Sequence, residues 1–161
     1  MPELWIPELP ERVLDDYPEV RLVIDLRRLA EALLKLHLGK WSESAEMYQS
    51  LIDGNKDAGN LPSYYLGMAA CQHNLGFEDE ARRHLENAGL SVLAGGRTLN
   101  RLLSAAVLHA FYTRIGDREE AESWKEFLHH LDCPEATKDA CLRRATIISE
   151  RCAEKSSLVL L

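Results

Sequence analysis

What this 161-residue chain lacks narrows the field first. No stretch approaches the eighteen or so apolar residues needed to cross a bilayer, so membrane insertion is not expected. The opening residues carry Glu3, Glu8, Glu11, Asp15, Asp16, Glu19 and Asp25 against Arg12 and Arg21. They therefore lack the basic region and apolar core of a secretory signal, and the expected location is the cytoplasm. Positive charge is also short: 19 Lys and Arg stand against 26 Asp and Glu, a net charge of −7. A nucleic-acid partner would want clustered cations and is not expected. The four cysteines, Cys71, Cys133, Cys141 and Cys152, form no CxxC pair and no compact disulfide spacing. They read as small buried hydrophobes in a reducing compartment.

Chemistry-bearing motifs are equally scarce. No Gly-rich phosphate loop, nucleophile elbow or spaced carboxylate pair occurs, so neither enzymatic activity nor a cofactor is expected. The one approach to a metal site is the cluster His129, His130, Asp132 and Cys133. His129 and Cys133 lie four apart and would share a helix face, but no second ligand pair matches and Pro134 interrupts the helix. A structural role is the reading taken for these residues.

What is present is a helical chain of one domain's size. Apolar residues make up 46% and charged residues 28%, enough for a core and a soluble surface. Residues 1–19 hold four of the six prolines, Pro2, Pro7, Pro10 and Pro18, and read as an acidic, extended or turn-rich arm. From Val20 to Leu38 the pattern becomes helical. Leu22, Leu26, Leu29, Leu33 and Leu36 form one stripe, and Val23, Ala30, Leu34 and Leu38 a second beside it. A helix apolar on two sides has two surfaces to cover. Gly39 ends this helix and Ser42 is placed to cap the next, which runs to about Asp53. Further helices are predicted over 62–75, with Pro62 in the first turn, 78–90, 98–115, 118–131 and 135–154. The segment Leu90-Ser91-Val92-Leu93 either joins the loop at Gly95-Gly96 or lengthens the helix before it.

A spacing repeats along this series. Gly76 is followed five residues later by Ala81 and seven beyond that by Ala88; Gly39 by Ser44; Gly116 by Ala121. A turn glycine followed by a small residue at fixed offset marks one helix crossing closely over its partner, and three occurrences mark a repeat. The middle unit places Tyr65, Met68, Ala69, Ala81, Leu85 and Ala88 in this frame, the third Leu108, Tyr112, Ala121 and Leu128, and the first Ala32, Trp41, Ser44 and Tyr48. His109, Lys125, Glu31 and Lys35 depart from it.

Over about residues 25–134 the chain resembles the tetratricopeptide repeat family. The resemblance implies an all-α, right-handed superhelix of three helix pairs over 20–134, with 135–161 supplying a C-terminal capping helix and an apolar tail. It also implies protein binding in a concave groove lined by the first helix of each pair. On that frame the partner-binding candidates are Leu26, Leu29, Leu33 and Leu36, then Leu66, Ala70, His73 and Asn74, then Val107, Ala110 and Arg114. Leu29 and Leu33 stand where the family's clamp for C-terminal carboxylates needs Lys and Asn, so an extended segment with alternating apolar anchors is the expected ligand. Asn74 and Arg114 would bond its backbone. The leucine stripe is open to a second reading, as core packed under the N-terminal arm.

A narrower likeness joins it. The run Tyr64-Tyr65-Leu66-Gly67-Met68-Ala69-Ala70-Cys71-Gln72, together with Glu119-Glu120-Ala121-Glu122-Ser123, is similar to the type III secretion chaperones that guard translocator proteins. Those chaperones hold client segments of the form Pro-x-Leu-x-x-Pro, a spacing that Pro2-Glu3-Leu4-Trp5-Ile6-Pro7 reproduces, so the arm is a candidate occupant of its own groove. The alternative function is a structural adaptor that assembles through its convex face or last helix. Residues 158–161, Leu-Val-Leu-Leu, need cover, from the last helix or from a homodimer interface.

Overall fold

The computed structural model describes residue 16 and residues 18–54 and 60–153. The Pro-x-Leu-x-x-Pro arm and the apolar tail lie outside the described residues. Seven helices follow one another, and no strand occurs among the described residues: α1 (Pro18–His37), α2 (Trp41–Gly54), α3 (Leu61–Leu75), α4 (Glu78–Ala94), α5 (Thr98–Arg114), α6 (Arg118–His130) and α7 (Glu135–Ala153). None is long and apolar enough to cross a membrane.

The same turn closes three hairpins. Gly39, Gly76 and Gly116 have φ of 75°, 85° and 82°, the left-handed region that glycine enters without a Cβ penalty. At each, the following amide reaches back five residues to a carbonyl: Lys40 to Lys35 (2.9 Å), Phe77 to Gln72 (2.8 Å) and Asp117 to Tyr112 (2.9 Å). These bonds satisfy carbonyls that the ending helix would leave unpaired. Two residues later the chain is helical again, so α1 packs on α2, α3 on α4 and α5 on α6.

The small residues of the repeat are the points of closest crossing. Ser44 is fully buried and donates its hydroxyl to the Ala32 carbonyl (2.7 Å); Ala69 and Ala81 are buried in the second hairpin. In the third, the off-pattern His109 is accommodated by donating from Nδ1 to the Ala121 carbonyl (2.7 Å), twelve residues on, as Ser44 is twelve from Ala32. Hairpins meet through equally close contacts. A Cβ on Gly67 would overlap the Tyr48 ring, and one on Gly89 would overlap Trp124. These contacts lock α3 to α2 and α4 to α6.

Two local expectations change and one open alternative is decided. Pro18 belongs to α1 rather than to the arm, because a first-turn proline gives up an amide the helix does not use. Ser42 is not a cap: α2 already begins at Trp41, and the Ser44 amide bonds the Lys40 carbonyl at 3.0 Å. Leu90–Leu93 extend α4 to Ala94, with Val92 fully buried and its carbonyl accepting Arg101 Nε at 3.1 Å.

α7 determines what surface remains. It packs chiefly along α5, reaches α3, and touches α1 and α6 only slightly. Ala145 is fully buried, while Cys141 and Leu142 pack partly buried against the core. Its first turn is fixed by Lys138, 3% exposed, whose ammonium donates to the His129 carbonyl at the end of α6 (2.6 Å) and to Glu135 (3.2 Å). α7 therefore lies on the first-helix side of the hairpins.

Candidate partner-binding surface

The hairpin turns fix which side of each first helix looks away from its partner. The eleven residues selected from the sequence do not form one open surface there. On α1, Leu26 and Leu33 are exposed (56% and 42%), Leu29 is half-buried, and Leu36 is core at 4%. On α3, Leu66, Ala70 and Asn74 are buried, and Asn74 Nδ2 donates to the Ala70 carbonyl of its own helix (2.9 Å). That donor is committed within α3, not presented to a ligand backbone. His73 is half-buried, 3.0 Å from the Glu78 carboxylate. On α5, Val107 and Ala110 are buried and Arg114 is exposed at the last residue of the helix. The burial is concentrated on the two first helices with which α7 shares most contact.

The open part is α1, and it is wider than the first stripe. Leu22, Val23 and Leu34 are 52%, 62% and 55% exposed beside Leu26 and Leu33, and Ala30 lies between them. At about 100° per residue these six positions fall within about 120° of the helix circumference. Glu31 and Lys35, roughly opposite, carry polar partners: Glu31 pairs with Arg27 (3.2 Å) and Lys35 with Glu43. Five half-exposed aliphatic side chains in one arc make a patch on the order of several hundred Å², the size that marks an interaction site. Leu22 of the first stripe and Val23 and Leu34 of the second were not among the candidates chosen from the sequence, although the two stripes were their signal.

A second exposed cluster sits where α4 passes into α5: Leu90 (66%), Leu93 (57%) and Leu99 (63%). A cleft of about 260 Å³ opens between the second and third hairpins, lined by His73, Glu78, Arg82, Leu85, Phe111 and Ile115. Within this lining His73 pairs with Glu78 and Arg82 with Asp117 at 2.8 Å. The Arg82 guanidinium, with the Glu120 amide, holds the Asp117 carboxyl below the usual carboxylate range. Burial pushes the Cys71 thiol up to about 11 and, with Glu120 and Glu86 nearby, the Tyr112 phenol up to about 12. Both stay protonated at neutral pH, so neither is an activated nucleophile. Of the cluster at the end of α6, His130 donates from Nδ1 to the Glu126 carbonyl (2.8 Å) and His129 lies 3.8 Å from Glu135. Among the described residues no three His, Cys, Asp or Glu side chains converge as a metal site.

Comparison of the chain with family models, with curated proteins and with solved structures gives no match.

Proposed function

We propose that the protein binds a partner polypeptide through the apolar face of its first helices, with α1 as the contact surface. The observation that carries this reading is the aliphatic arc of Leu22, Val23, Leu26, Leu33 and Leu34, between 42% and 62% exposed on a helix that is otherwise well packed. An apolar arc of this length suits a segment that inserts two or three apolar anchors. Each anchor contributes about 1.5–3 kcal/mol before the cost of ordering the segment, which supports roughly micromolar affinity. The narrower form of the proposal is a tetratricopeptide-type chaperone for an extended segment of a secreted protein. It is supported by the three equivalent Gly turns and by the Tyr64–Gln72 run.

The test is capture of partners from the native source by the wild-type chain and by the Leu26→Asp/Leu33→Asp variant. The expected result is one partner retained near stoichiometry by the wild type and lost by the variant, with helical circular dichroism and melting unchanged because both side chains already face solvent. Equal retention by the two proteins contradicts the proposal. A structural adaptor is the second reading, favoured by the Leu90, Leu93 and Leu99 cluster away from α1. It predicts retention that depends on those leucines instead.

A further inference from the structure

The open arc of α1 reads alike from both ends. At about 100° per residue, Leu22, Val23, Leu26, Ala30, Leu33 and Leu34 all lie within about 60° of one line along the helix. Glu19 and His37, both exposed, stand on that line in the first and last turns, about 27 Å and five turns apart. Position 28 is the centre of every pair: Glu19 with His37, Leu22 with Leu34, Val23 with Leu33, and Leu26 with Ala30. A two-fold axis at that position lays an antiparallel copy of α1 on the arc. Leu22 then meets Leu33 of the second copy, Val23 meets Leu34 and Glu19 meets His37, each contact occurring twice.

Charge favours this occupant. The acidic Asp16 and Glu19 stand at the start of the helix, and the basic Lys35 and His37 at its end. In an antiparallel pair each acidic end lies on a basic end, and the two helix macrodipoles attract. A parallel pair would set like charges together. At the edge of the arc Arg27 pairs with Glu31 (3.2 Å) on its own helix, so this edge is charge-balanced. Five half-exposed aliphatic side chains on each copy bury on the order of 1,000 Å² in total, the lower end of specific interfaces. That area suits a dimer that dissociates on dilution. We infer that two copies of the partner-free chain associate through an antiparallel α1–α1 contact, and that a partner polypeptide competes with the second copy for the same arc. The competition rests on the partner-binding reading above; the dimer does not.

The experiment is sedimentation equilibrium of the full chain from about 1 μM to about 1 mM, the range in which such a contact dissociates. Wild type is expected to pass from monomer to dimer across that range, and Leu26→Asp/Leu33→Asp to stay monomeric with helical circular dichroism unchanged. His37→Glu sets two carboxylates against each other at both ends and is expected to weaken the dimer about tenfold. Adding Glu19→Lys to that variant is expected to restore it, because residue 19 lies opposite residue 37 only in the antiparallel register. A wild-type chain that stays monomeric throughout, or a dimer that survives Leu26→Asp/Leu33→Asp, overturns the proposal. Failure of Glu19→Lys to rescue His37→Glu overturns it as well. The complex with the captured partner is expected to hold one copy of the chain; two copies sink the competition alone. Partner retention by Leu26→Asp/Leu33→Asp sinks the partner-binding reading while leaving the sedimentation result intact.

Discussion

At the scale of single residues, small side chains at helix crossings set the packing distance. Gly67 lies under the Tyr48 ring and Gly89 under Trp124, both in buried helical positions where a methyl group has no room. Gly67→Ala and Gly89→Ala are each expected to destabilise the chain by about 1–3 kcal/mol through overpacking. A lowered urea midpoint without a change in slope checks this. An electrostatic expectation belongs to the same scale. Because Arg82 and the Glu120 amide favour the ionised Asp117, its contribution is fully present above the unfolded carboxylate value of about 3.9 and lost as pH falls through the lower folded one. Melting temperature of Asp117→Asn should therefore vary less than wild type between pH 5 and pH 2.5. The sequence made the Ala and Ser positions legible, because a fixed offset from a turn glycine is a local pattern. It did not reveal the role of Gly67, whose reason is a ring contributed by another hairpin. His109 stood out only as a departure from pattern, and its bond to the Ala121 carbonyl explains how the crossing tolerates it.

At the scale of elements, helix boundaries were written in glycine and proline, so among the described residues every helix start and all ends but one were legible to within about two residues. The exception was the end of α4, where Leu90–Leu93 read equally as loop or helix. Burial of Val92 and the Arg101 bond to its carbonyl favour the helix. What the sequence could not convey is where α7 lies, since its neighbours α5, α3 and α1 are distant in the chain and its own apolar pattern is sparse. The consequence is testable. Ala145 is fully buried, so Ala145→Asp places an unpaired carboxylate in the core and costs on the order of several kcal/mol. α7 should detach before the hairpins unfold, because its anchors among the described side chains, besides Ala145, are Cys141, Leu142 and Lys138. Hydrogen exchange in the variant is expected to quicken over residues 135–153 and at the buried faces of α3 and α5 while α4 and α6 stay protected. Uniform loss of protection would show instead that α7 and the hairpins form one cooperative unit.

At the scale of the whole molecule, three hairpins closed by the same turn are crossed on one side by a seventh helix, and the aliphatic arc of α1 stays exposed among the described residues. That division decides which of the eleven sequence candidates are free to meet a partner. Leu26, Leu33 and Arg114 are exposed; Leu36, Leu66, Ala70, Asn74, Val107 and Ala110 are already buried. The apolar character of the first helices was legible from periodicity, but periodicity cannot say which apolar stripe a distant helix will cover. The account's central claim is that α1 is the partner surface. Its most direct test is hydrogen exchange of the chain alone and in complex with the partner captured by the wild type. The account predicts slowed exchange over residues 20–38 on binding, with the α4–α5 junction unchanged. Protection confined to residues 90–103, with α1 exchanging as in the free chain, would contradict it.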